Sequence, residues 1–135
     1  MSDPYTRVNL RDDVEDLAAK HGMGEVLEGH FATAELELEK SAVSFQALKP
    51  GQRLPFGHSH EQQEELYVVI GGNGRMKLGD DVVELARLDA VRVAPQVMRS
   101  LEAGDDGMEL LAFGAPNTGA VTNDVASQEM GWWSD

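Results

Sequence analysis

From residue 34 onward the chain alternates apolar and polar residues with a period of two and never settles into a helical period. Residues 34–40 (AELELEK), 41–48 (SAVSFQAL), 65–70 (ELYVVI), 74–78 (GRMKL), 90–94 (AVRVA), 99–103 (RSLEA) and 108–113 (MELLAF) read as short strands. Turn signals separate them: KPG at 49–51, GGNG at 71–74, GDD at 79–81 and AGDDG at 103–107. Asn73-Gly74 in particular predicts a hairpin turn rather than a phosphate-cradling loop, because the GxGxxG and Walker spacings are missing. Many short strands with no helix between them predict an all-β sandwich or barrel dominated by hairpins.

At 135 residues the chain has the size of one domain with one core. Ahead of the strands, 11–21 (RDDVEDLAAKH) places Val14, Leu17 and Ala18 at helical spacing, with acids first, Lys20 and His21 last and Gly22 beyond, which predicts one short amphipathic helix. The organisation expected is an N-terminal segment with that helix (1–30), a β-barrel (31–114) and a tail (115–135). Trp132 and Trp133 are costly to leave in water, so the tail is expected to pack on the barrel or on a neighbouring subunit.

Lys and Arg number 11 against 24 Asp and Glu, a net charge of −13, which opposes binding to nucleic acid or to an anionic membrane. The absence of cysteine removes disulfides, thiolate ligands and thiol nucleophiles together. No signal peptide or membrane-spanning stretch is read in the sequence, and the expected location is the cytoplasm.

The chemistry concentrates in 58–72, HSHEQQEELYVVIGG. On a strand, residues two apart share a face, so His58 and His60 point the same way. A turn over residues 61–64 would let an antiparallel strand beginning at Glu65 lie alongside and present a carboxylate to the same spot. Glu64 is the rival, separated from Glu65 only by the length of that turn. Two imidazoles and a carboxylate with open positions left over suit Fe, Mn, Ni, Zn or Co better than Mg or Ca.

The stretch resembles the first signature of the cupin superfamily: glycine, five residues, His-x-His, three or four residues, Glu, six residues, Gly. His58, His60, Glu65 and Gly72 fall in step, and Gly51 stands one residue further upstream than the pattern asks. The resemblance implies a double-stranded β-helix, or jelly roll, over roughly 31–114, with His58, His60 and Glu65 as metal ligands inside the barrel. The second signature (Gly, five residues, Pro-x-Gly, two residues, His, three residues, Asn) can be laid on Leu88, Ala94, Gln96, Arg99 and Ala103 without a gap, yet none of its residues is kept. Where metal-dependent members have a fourth ligand, a histidine, this chain has Arg99.

A guanidinium stays charged and has no lone pair to give, so Arg99 cannot replace a histidine ligand. Held about 5 Å from a divalent ion, it would repel that ion by roughly 7 kcal/mol at an effective dielectric of about 20. Two readings follow. In the first, His58, His60 and Glu65 hold a divalent transition metal, and Arg99 anchors the acid group of a small anionic metabolite, with Tyr67 offering a hydroxyl from Glu65's face. That reading gives an enzyme in the oxygenase, isomerase or lyase range. In the second, Glu65 and Arg99 pair in a metal-free barrel that binds a small molecule or serves to dimerise, the histidines acting as acid and base or as pocket walls. A homodimer is expected in either case. Arg99 also has a plainer alternative, an outer-face salt bridge at a sheet edge. His30 reads as a solvated or capping residue and His21 as a helix-end charge.

Overall fold

The computed structural model describes residues 4–117 and 124–135. One short helix, α1 (Leu17–Lys20), precedes eight strands: β1 (Leu27–Phe31), β2 (Ala42–Leu48), β3 (Phe56–His60), β4 (Glu64–Leu78), β5 (Asp81–Leu85), β6 (Ala90–Val93), β7 (Arg99–Ala115) and β8 (Val125–Met130). The architecture is all-β, a curled antiparallel jelly roll.

Two long strands, β4 and β7, run through both walls of the barrel. Their outer halves pair from Glu64↔Ala115 to Gly72↔Met108, and their inner halves from Gly74↔Ala103 to Leu78↔Arg99, with register shifts between. The first pairing carries β2 and β1 on one side and β6 on the other. The second carries β5, and through Arg99↔His58 it carries β3, which pairs in turn with β8.

GGNG is therefore not a hairpin turn but the bend where β4 crosses from one wall to the other. Gly72 has φ +67°, and a Cβ there would meet Gly107 O at 2.0 Å, so only glycine lets the two long strands approach at the bend. AGDDG likewise lies within β7.

Two other expectations are corrected. The helix covers only the end of the expected span, because Asp16 caps it: Oδ1 accepts from Ala18 N at 3.0 Å and Ala19 N at 3.4 Å. Upstream, the side chain of Asn9 takes the amides of Arg11 and Asp12, a local bonding pattern that competes with helix. Residues 34–40 alternate like a strand but form a turn, with Leu36 N bonded to Ala32 O, Leu38 N to Thr33 O, and Glu37 at φ +57°. Periodicity sets which side chains share a face only once a partner strand supplies backbone bonds.

Met76, Leu101, Met108, Leu110 and Val69 fill one end of the barrel. A cavity of about 330 Å³ also opens into the barrel, its wall mostly apolar with a few polar side chains, and α1 contributes Leu17 and Ala18 to it. His30 is buried rather than solvated: Nδ1 bonds Val14 O at 2.7 Å, Nε2 reaches Glu28 Oε2 at 2.6 Å, and the ring stacks on Phe45.

The tail returns to the barrel. Its strand β8 lies along β3, and Trp133 is 7% exposed beneath the guanidinium of Arg53, 4.3 Å from the ring centre, with Arg75 at 5.3 Å. Glu102 fixes both arginines from below. Trp132 covers Gly57, where a Cβ would come within 2.5 Å of its ring. The residues that press on β3 from outside thereby fix the strand that carries the two histidines.

Candidate metal centre

Strand β3 turns His58 and His60 inward, their rings edge to face with centroids 5.1 Å apart. Glu65 and Tyr67 come from β4. That strand does not lie beside β3, as the sequence suggested, but faces it from the opposite wall. Glu64 points out to solvent, with Arg92 at 3.9 Å.

Four groups converge on one oxygen, Glu65 Oε1. Tyr67 Oη donates to it at 2.6 Å and Arg99 Nη1 at 2.8 Å, and the Nε2 atoms of His58 and His60 lie at 3.3 and 3.4 Å. Burial alone would raise the Glu65 carboxyl. The hydrogen bonds from His58 and Tyr67, with the close approach of His60, outweigh it and hold the group far below the usual carboxylate range. Tyr67 moves well above its ordinary value, by burial first and by the negative charge of Glu65 second.

Arg99 is 1% exposed, which rules out an outer-face position. Its Nη2 donates to Ala94 O at 2.8 Å and Pro95 O at 3.2 Å, so the guanidinium is held between Glu65 and the loop before β7. It stands behind Glu65, outside the lining of the cavity, whereas His58, His60, Glu65 and Tyr67 all line it.

The donor atoms of His58, His60 and Glu65 lie within 4.8 Å of one another, a group that can hold a metal ion. The fit is supported by His60, which is 3% exposed with neither ring nitrogen in a hydrogen bond among the described residues. A buried imidazole without partners is costly, and coordination through Nε2 satisfies it. Nδ1 faces Asp124 Oδ2 at 3.6 Å, the kind of carboxylate that orients a ligating histidine.

Asp124 is a residue that sequence reasoning missed. It is buried, and its carboxylate accepts from the amides of Gln62 at 3.0 Å and Gln63 at 2.5 Å, which shapes the turn between the histidines and Glu65. Nothing in the polar stretch around it signals that role. Phe56 lines the cavity, while Phe45 and Met76 do not.

No family model matches the chain, and no curated protein does. Solved structures do. A cupin protein from Bacteroides fragilis superposes with a TM-score of 0.69 at 24% identity, covering 93% of this chain and 99% of that one. A single-substitution variant of oxalate decarboxylase from Bacillus subtilis superposes with a TM-score of 0.66 at 20% identity over 75% of this chain, which spans only 28% of that enzyme. A second variant of the same decarboxylase gives 0.67 at 19% identity. Strand order, the two bent strands shared by both walls and these superpositions agree: the chain adopts the cupin fold.

Proposed function

We propose that this protein binds a divalent transition metal through His58, His60 and Glu65 and acts there on a small anionic metabolite, in the oxygenase, isomerase or lyase range. The observation that carries the reading is the convergence of those three donors, within 4.8 Å of one another, on the wall of a cavity of about 330 Å³. A metal held there supplies a Lewis acid for the ligand's anionic head. With two neutral histidines, the local charge including Glu65 and Arg99 is then about +2, which favours an anion. The solved oxalate decarboxylases, whose name gives a small dicarboxylate as substrate, lend support.

In this reading Tyr67 meets the ligand directly, and Arg99 contributes to binding through its hold on Glu65. On that division anion binding is expected to depend on the metal. Among the described residues, no Lys or Arg lines the cavity, so without a divalent ion an anion meets the Glu65 carboxylate unscreened.

The 2.8 Å contact between Arg99 and Glu65 favours a second reading, a metal-free binding module in which the pair is already neutral. Melting with and without chelator separates the two, since a ligand that binds only the folded state raises its stability. A melting temperature that falls on adding EDTA and recovers with Mn²⁺ or Zn²⁺ supports the metal site. Indifference to both supports the module.

A homodimer fits either reading. Leu66, Ile70 and Phe113 are 39%, 37% and 38% exposed, and the pairings Leu66↔Phe113 and Val68↔Leu111 make one apolar strip on the outer face of β4 and β7. On a chain of net charge −13, an uncharged strip is where a second copy meets least repulsion. No helix among the described residues is long and apolar enough to cross a membrane.

A further inference from the structure

The cavity has a second polar pole, on β2, across β7 from Tyr67. Strand β2 turns Ser44 and Gln46 toward it, and Gln46 Nε2 donates to Ser44 Oγ at 3.1 Å. Ser44 is buried. The bond uses Ser44 as acceptor, which leaves its hydroxyl hydrogen, and the carbonyl and second amide hydrogen of Gln46, with no partner among the described residues. Neutral hydrogen-bonding groups on an otherwise apolar wall fix the orientation of what lies against them.

The register sets the distance between the poles. Tyr67 pairs with Ala112 and Ala112 with Ser44, so the two polar residues share a row with one strand between them, about 10 Å apart at ~4.8 Å per strand. Between them the inward residue is Ala112, and beyond Gln46 it is Gly29, its partner on β1. These small residues leave the room that the ligand body takes up. Leu27, Leu54 and Phe56 flank it with apolar surface.

We infer that the ligand is a monoanion with three parts: an anionic head at His58, His60 and Glu65, an apolar body the size of one aromatic ring over Ala112, and a neutral hydroxyl, carbonyl or amide at Ser44 and Gln46. This deepens the metal-site reading of the previous section and rests on it for the head alone. A second carboxylate at the far pole meets no cation there, so dicarboxylates of the same length are rejected.

The test is calorimetric titration of the Mn²⁺-loaded full chain with phenylacetate, 4-hydroxyphenylacetate and 4-carboxyphenylacetate, repeated on Ser44→Ala and Gln46→Leu. The hydroxyl is expected to tighten binding about fivefold, as one net hydrogen bond allows. The second carboxylate is expected to weaken it at least tenfold, and on each substituted protein the hydroxyl's gain over phenylacetate is expected to vanish. Equal affinity for the three compounds, or a hydroxyl gain that survives both substitutions, overturns the far pole. Phenylacetate binding that persists after EDTA overturns the metal-held head instead, and the hydroxyl gain then still decides the far pole. Binding of none of the three overturns both.

Discussion

Arg99 Nη1 lies 2.8 Å from Glu65 Oε1, so a buried cation is held by the same carboxylate oxygen that His58 and His60 approach from the cavity side. The carboxylate serves as counter-charge to the guanidinium and as a donor toward the cavity at once. In the proposed metal site, coordination and charge balance are therefore coupled through one side chain.

Removing the carboxylate charge strands the arginine. Glu65→Gln is expected to lose about 3–5 kcal/mol of stability, the usual cost of leaving one member of a buried pair unmatched. Urea unfolding of the chelator-treated protein checks this. A loss below 1 kcal/mol would mean that Arg99 finds another partner or water.

Arg99→His trades the cation for a third imidazole, and so a fourth potential ligand, on the same strand position, directly across from His58 in the β3–β7 register. Metal affinity is expected to rise at least tenfold, since relief of even a fraction of the charge repulsion exceeds 1.4 kcal/mol. Competition with a chromogenic chelator measures it. An unchanged affinity would place the guanidinium out of reach of the ion.

The tail holds the histidine strand in place. Trp133→Ala removes the ring packed against Arg53 and Arg75, and should cost about 3–5 kcal/mol, as for other buried aromatics. Because β8 flanks β3, metal affinity should fall as well. Thermal melting and chelator competition on the same variant report both effects.

Asp16 predicts a pH dependence far from the centre. Burial pushes its carboxyl up, but bonds from the amides of Gly29, Ala19 and Ala18 outweigh that and hold it below its ordinary value. A group whose folded value is depressed contributes stability above its unfolded value, and that contribution is lost as pH falls through the folded one. Asp16→Ala should therefore cost about 1 kcal/mol at pH 7, a typical cap loss, and progressively less as pH falls below about 4. Paired urea melts across that range show whether the gap closes.

Much of the centre was legible because β3 obeys the simplest rule in the chain. His58 and His60 share a face by alternation, and Glu65 follows at a spacing that a tight turn permits. What alternation cannot supply is the partner strand. The same pattern in 34–40 produced a turn, since its amides bond to Ala32 and Thr33 rather than to a neighbouring strand. Gly71 to Gly74 looked like a hairpin because positive φ serves a bend within a strand as well as a turn between two. His30 and Asp124 were hidden for a related reason: each is defined by contacts with residues distant in the sequence, Val14 in one case and the 62–63 backbone in the other. Arg99 was legible as an anomaly, while its bond to Glu65 and its place behind the cavity wall needed the fold.

His58, His60 and Glu65 are proposed to hold a metal despite Arg99. Elemental analysis of protein purified without an affinity tag tests it most directly, with the His58→Ala, His60→Ala double variant alongside. Close to one transition-metal ion per chain is expected in the parent and none in the variant. No metal in either, even after incubation with Fe, Mn, Ni and Zn salts, would contradict it and leave a metal-free pocket built around the Glu65–Arg99 pair.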